Sequence, residues 1–117
     1  MKKILIVEDE DALCLLYKEE LALDGYDVTT AGNAEEALSA LNREKFDLII
    51  TDIRMPGRDG VELITEIMGL RKDIPIIINT AYQSYKQDFM TWAADAYVVK
   101  SSSLVELKAK IRDLLNK

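Results

Sequence analysis

Three carboxylates, a hydroxyl and an ammonium stand at the ends of four apolar runs. Together they have the means to hold a divalent metal and a phosphoryl group. Glu8 and Asp9 follow Ile4–Val7, Asp52 follows Leu48–Thr51, Thr80 follows Ile74–Asn79, and Lys100 follows Tyr97–Val99. Carboxylates brought together raise one another's pKa unless a cation joins them. A hard divalent ion resolves that repulsion, and magnesium typically takes one or two carboxylates with waters and phosphate oxygens. A lysine beside such a cluster offsets its charge and can clamp a phosphoryl oxygen, to which a threonine hydroxyl can also donate. Each residue alone has a plainer explanation. Glu8, Asp9, Glu10 and Asp11 suit the N-terminus of a following helix, Thr80 suits a strand end, and Lys100 suits solvent. The helix dipole accounts for Glu10 and Asp11. It does not account for an acid, Asp52, at the end of a second strand.

For these ends to meet, the runs must be neighbouring parallel strands. They are rich in Ile and Val and show little alternation, as strands buried on both faces do. The pattern predicts strands near 3–8, 27–31, 46–52, 74–79 and 96–100, and helices near 10–24, 34–44, 60–71, 83–94 and 103–116. Five β-α repeats imply a doubly wound α/β sheet with helices on both faces. In a flavodoxin-like order, 2-1-3-4-5, strands one and three flank the switch point where ligands bind. Strand 27–31, with one aliphatic residue in Asp27-Val28-Thr29-Thr30, suits a sheet edge. Asn33 with Glu36, and Ser103 with Glu106, have capping-box spacing, and Gly25 is placed to cap the first helix. Leu104, Leu107, Ile111 and Leu114 form one stripe on the last helix.

Composition narrows the chemistry. The chain has 117 residues, 49% of them hydrophobic, consistent with one domain over 1–117. It has no histidine and one cysteine, Cys14. That removes the usual structural zinc sites and Ser-His or Cys-His catalysis, so any metal is oxygen-ligated. A lone cysteine fits a reducing, cytoplasmic setting. A net charge of −6 argues against direct nucleic-acid binding. No apolar stretch reaches membrane-span length, and the N-terminus is too short for a signal peptide.

After Asp52 the chain reads Ile53-Arg54-Met55-Pro56-Gly57-Arg58-Asp59-Gly60. Pro56 stiffens this loop, which could aim a backbone carbonyl at a metal beside Asp52. In the first helix Ala12-Leu13-Cys14-Leu15-Leu16-Tyr17 overruns a single apolar stripe. One reading is a wide core contact. The other leaves part of the run exposed, with Leu13 and Leu16 as candidates for docking a partner.

Taken together, Ile4–Glu10, Asp47–Gly57, Asp59-Gly60, Pro75–Ala81 and Ala94–Lys100 resemble the receiver domain of two-component response regulators. The match is collinear along the whole chain. The resemblance implies that Asp52 takes a phosphoryl group from a phosphohistidine on a histidine kinase or phosphotransfer protein. Asp9 and Asp52 would bind Mg2+ directly with the Arg54 carbonyl, and Glu8 would act through a metal-bound water. Thr80 and Lys100 would hold phosphoryl oxygens, and Tyr97 would turn inward as the Thr80 loop closes. The family also places Arg54 and Tyr82 beside the path of hydrolytic water, where bulk implies slow self-dephosphorylation. Leu13 and Leu16 would face the kinase helices. A downstream protein or fused output domain would read the 80–100 face, with a weak homodimer through 83–116 as a further expectation. The chain departs from the pattern at Ser101, where the family usually has proline after a bond that is often cis; a non-proline cis bond costs about 2.5–4 kcal/mol. The rival readings are a degenerate receiver acting by contact alone and a magnesium-dependent small-molecule phosphatase, for which a second acid and a cap segment are not evident.

Overall fold

In the computed structural model the described residues are 1–53, 60–70, 73–82, 94–101 and 103–116. β1 (Lys3–Val7), β2 (Asp27–Ala31), β3 (Leu48–Thr51), β4 (Ile76–Thr80) and β5 (Ala96–Val99) form one sheet in the order β2-β1-β3-β4-β5. β1, β3 and β5 follow the apolar runs, from Lys3, Leu48 and Ala96, and stop where polar residues take over. Every pairing is parallel. This is the doubly wound, flavodoxin-like order expected. β4 starts two residues later than expected because Pro75 has no N–H to give the ladder; its carbonyl still accepts the Ile49 N–H at 3.0 Å.

Four helices are described: α1 (Asp11–Leu23), α2 (Ala34–Arg43), α3 (Gly60–Leu70) and α4 (Val105–Leu115). The helix expected over 83–94 falls outside the described residues, apart from Ala94. Successive strand residues point to opposite faces, and the two faces bury separate layers. Leu5, Val7, Ile49, Ile76 and Ile78 pack with Ala37, Leu41, Leu63, Ile64 and Ile67 from α2 and α3. Ile4, Ile6, Leu48, Ile50, Ile77 and Val98 pack with Tyr17 and Leu21 from α1 and Leu107 and Ile111 from α4.

Helix ends follow the sequence signals with one exception. Asn33 accepts the Glu36 N–H at 2.9 Å, and the Glu36 carboxylate takes the Gly32 N–H at 2.8 Å. Gly25, at φ +93°, closes α1: its N–H bonds to the Ala22 carbonyl and the Tyr26 N–H to the Leu21 carbonyl, the double bond of a Schellman end. Ser103 and Glu106 do not form the expected box. α4 begins later, with Leu104 at its N-cap, and the Ser103 hydroxyl accepts from the Val105 N–H at 3.3 Å.

Candidate functional site

The carboxyl ends of β1, β3, β4 and β5 deliver the predicted residues to one edge. β1 ends at Val7, and Glu8 is held there by its N–H to the Ala31 carbonyl at 2.9 Å. β3 ends at Thr51, so Asp52 emerges beside it. Both acids are buried, Glu8 to 2% and Asp52 to 7% exposure. Lys100 arrives from the end of β5, its own N–H bonded to the Thr80 carbonyl at 2.7 Å. Its Nζ lies 2.6 Å from Glu8 Oε1 and 2.8 Å from Asp52 Oδ2. Among the described residues no peptide bond is cis, so Lys100 reaches both acids with serine following it.

Electrostatics fit this arrangement. Burial holds Glu8 above the usual carboxylate range, against the pull of the Lys100 ammonium. Burial works against the charge on Lys100, but its hydrogen bonds to Asp52 and Glu8 outweigh that and hold it above the ordinary lysine range. One ammonium cannot balance Glu8, Asp9 and Asp52, so the edge keeps an excess of negative charge that a divalent cation would offset. Among the described residues no group of three or more acids is spaced to hold a metal ion. Magnesium needs only one or two carboxylates when waters and phosphate oxygens complete its shell. The all-oxygen donor set therefore fits it.

Thr80 contributes the second clue. It is fully buried, and its Oγ1 is the one buried side-chain oxygen or nitrogen among the described residues that has no hydrogen-bond partner. A buried hydroxyl left unpaired costs about 1–3 kcal/mol, and a phosphoryl oxygen on Asp52 would satisfy it. Tyr97, expected to turn inward, is 4% exposed, and its hydroxyl donates to the Tyr82 carbonyl. Asp9 is exposed at the rim beside Glu8. Arg54 lies outside the described residues.

One expectation on α1 changes, the exposure of Leu13. Leu13 is half-buried against the α1/α4 layer, because it lies on the same stripe as Tyr17 and Leu21. Leu16 is exposed as expected, at 44%, and the residue exposed beside it is Leu15, at 57%. Leu16 lines a cavity of about 280 Å³ with Glu20, Leu104, Val105 and Lys108. Sequence reasoning also passed over Tyr17 and Asn79, both buried beneath the site. The signal available was Asn79 itself, a polar residue ending an isoleucine run.

A doubly wound sheet with an acid, a hydroxyl and a lysine on successive strand ends defines the class, and the chain belongs to the response regulator receiver domain family, whose model matches residues 4–112. Among solved structures it resembles the response regulator TrrA of Thermotoga maritima in complex with Mg2+-BeF, at 50% identity and a TM-score of 0.92, covering 98% of this chain and 100% of that one. It likewise matches TrrA in complex with the histidine kinase ThkA, at 50% identity and a TM-score of 0.90, covering 98% and 99%. A curated relative is the alkaline phosphatase synthesis transcriptional regulatory protein PhoP of Bacillus subtilis, 36% identical over 99% of this chain and 49% of that protein. Another is a probable transcriptional regulator, ycf27, of Cyanophora paradoxa, 41% identical over 99% and 49%. The chain thus spans about half the length of these curated relatives. No helix among the described residues is long and apolar enough to cross a membrane.

Proposed function

We propose that this receiver is a phosphorylatable switch in which Asp52 accepts a phosphoryl group from a kinase phosphohistidine with Mg2+. The observation that carries this reading is Lys100 bound to Asp52 at 2.8 Å beside a buried, unpartnered Thr80 hydroxyl. In the transfer the P–N bond of the donor breaks, an Asp52 oxygen bonds to phosphorus, and the imidazole leaves with the bonding electron pair. Positioning and charge stabilisation carry such a transfer. Lys100 steers the attacking carboxylate and then holds a phosphoryl oxygen, while Thr80 donates its hydroxyl to another. Asp9, Asp52 and the Arg54 carbonyl would hold the metal, with Glu8 bonding to its water. Bound magnesium supplies the positive charge that lets phosphoryl oxygens enter an acidic site.

Occupancy would change what Thr80 bonds to and so bias the loop whose Tyr82 carbonyl holds Tyr97. The 80–100 face is the surface a downstream protein or output domain would read, and the 83–116 face a weak dimer contact. A histidine kinase as partner is supported by the ThkA complex of TrrA, and the exposed Leu16 on α1 is the residue that would meet its helices. We assign the chain as one receiver domain over 1–117 in a cytoplasmic pathway. The test is intact mass after incubation with phosphoramidate and Mg2+. Wild type gains one phosphoryl group and Asp52→Ala gains none; uptake by neither protein would favour a receiver that signals by contact alone.

A further inference from the structure

Thr51 carries a hydroxyl at a position where packing asks only for shape. It ends β3, is fully buried, and pairs with Val7 of β1 and Ile78 of β4. Strand alternation puts its side chain on the face of Ile49, where Val7, Ile49, Ile53, Ile64 and Ile78 pack together. Any β-branched side chain suits such a place. A hydroxyl there must still find a hydrogen-bond partner. This one donates to the carbonyl of Asp52 at 3.0 Å. Such a bond adds only modestly to stability, so packing explains the shape of Thr51 and leaves its hydroxyl unexplained.

The partner explains it. The β3 ladder stops at Thr51, and Asp52 is the first residue beyond it. The Asp52 N–H reaches the Val7 carbonyl at 3.4 Å, which is long for a hydrogen bond. The Thr51 hydroxyl holds the same residue at its other backbone group. The N–H and the carbonyl flank the Cα that bears the carboxylate, so holding both sets the direction of the Cα–Cβ bond. That carboxylate is buried and bound to Lys100 Nζ at 2.8 Å.

We propose, resting on the phosphorylation reading above, that Thr51 is a positioning residue for the Asp52 nucleophile. Its hydroxyl holds the Asp52 carbonyl and, through the backbone, aims the carboxylate at phosphorus. It donates nothing to the phosphoryl group itself. The hydroxyl of Thr51 therefore serves the transfer rate, and its methyl group serves the packing.

The experiment is a time course of phosphorylation of the full chain by phosphoramidate and Mg2+, read by intact mass. In this donor the P–N bond breaks, an Asp52 oxygen bonds to phosphorus, and the protonated nitrogen leaves as ammonia with the bonding electron pair. Wild type is compared with Thr51→Ser, Thr51→Val and Thr51→Ala, each rate corrected for the folded fraction found by urea unfolding. Wild type and Thr51→Ser keep the hydroxyl; Thr51→Val and Thr51→Ala lack it. The rates pair by hydroxyl: Thr51→Ser stays within about twofold of wild type, and the other two fall about tenfold, the scale of a small misplacement of reacting groups. Loss of a buried methyl group instead costs Thr51→Ser and Thr51→Ala stability, so a role in packing alone would spare Thr51→Val and slow Thr51→Ser. Thr51→Val at the wild-type rate overturns the proposal, as does Thr51→Ser as slow as Thr51→Ala. The two comparisons are independent, so a variant that fails to fold leaves the other to decide. A wild type that takes up no phosphoryl group overturns the phosphorylation reading, and this proposal with it; uptake at one rate by all four proteins overturns this proposal alone.

Discussion

Two lysines in this chain each face a pair of carboxylates, in very different surroundings. Lys100 bridges Glu8 and Asp52 at 2.6 and 2.8 Å, with the acid side chains only 3% and 8% exposed. Lys108, on α4, meets Glu20 and Asp24 of α1 at 3.2 and 3.4 Å, with those acids 39% and 37% exposed. Water screens the second trio, so it does little more than bracket two helices. The first trio is desolvated, and its charges act on one another and on anything that enters. Burial, rather than the residue types, makes one cluster a site and the other a surface bracket.

The largest contrast is expected on removing each ammonium. Lys100→Ala leaves two buried carboxylates facing each other, and losing one partner of a buried pair costs about 3–5 kcal/mol. On the proposed phosphorylation it also removes a donor for the developing phosphoryl charge, a loss of roughly a hundredfold or more in rate. Urea unfolding and single-turnover phosphorylation measure the two effects. A variant that unfolds at the wild-type midpoint would mean that the acids repel less than their burial implies.

Alkaline pH sharpens the same contrast. Lys100 is raised above its ordinary value of 10.5, burial opposing the shift and the hydrogen bonds to Asp52 and Glu8 winning. A raised lysine contributes stability that is fully present below the unfolded value and lost as pH rises through the folded one. Wild type should therefore lose stability as pH climbs above 10.5, and Lys100→Ala should lose less over that window. Tyr17 is raised above the ordinary tyrosine range by burial, with Lys100 opposing, and adds to the alkaline loss in both proteins, so the two are compared in a Tyr17→Phe background that lacks this contribution. Equal slopes in the two unfolding series would show that the trio does not couple to folding. Glu8 acts at the other end of the scale. Its value is raised by burial, so its contribution is present below 4.5 and lost as pH rises through the folded value. Glu8→Gln should therefore lessen that loss of stability as pH rises from 4 to neutrality, a difference that unfolding midpoints across the range would detect.

The sheet and most of the site were legible because they rest on short-range patterns. Ile/Val runs that end on Glu8, Asp52, Thr80 and Lys100 state both the strands and their chemistry. Leu13 could have been placed too: Leu13, Tyr17 and Leu21 recur every four residues and mark the inward stripe, which leaves Leu15 and Leu16 outside. The burial of Asn79 in the layer that α1 covers was not legible. It depends on which face of β4 meets α1, and a shift of one residue would have turned Asn79 away. Nor could the sequence say that Lys100 bonds to Glu8 as well as Asp52, because that choice depends on how deeply the strand ends are buried.

The smallest effect expected is the most demanding test of the contrast. Lys108 is held above its ordinary value chiefly by its hydrogen bond to Glu20, against the opposing effect of burial. Its partners stand in water, where salt at about 1 M shortens the reach of a charge to roughly 3 Å. Lys108→Ala should leave the phosphorylation rate by phosphoramidate unchanged and move the unfolding midpoint only slightly. That slight shift should shrink as salt is added, because the lost interaction was already screened. The Lys100→Ala deficit should persist in the same salt, because ions do not enter the space between Lys100 and its acids. A Lys108 deficit that survives high salt would mean that the α1–α4 bracket is held by the lysine's methylene packing against Leu16 and Leu104. The difference between the two clusters would then be one of geometry as much as of burial.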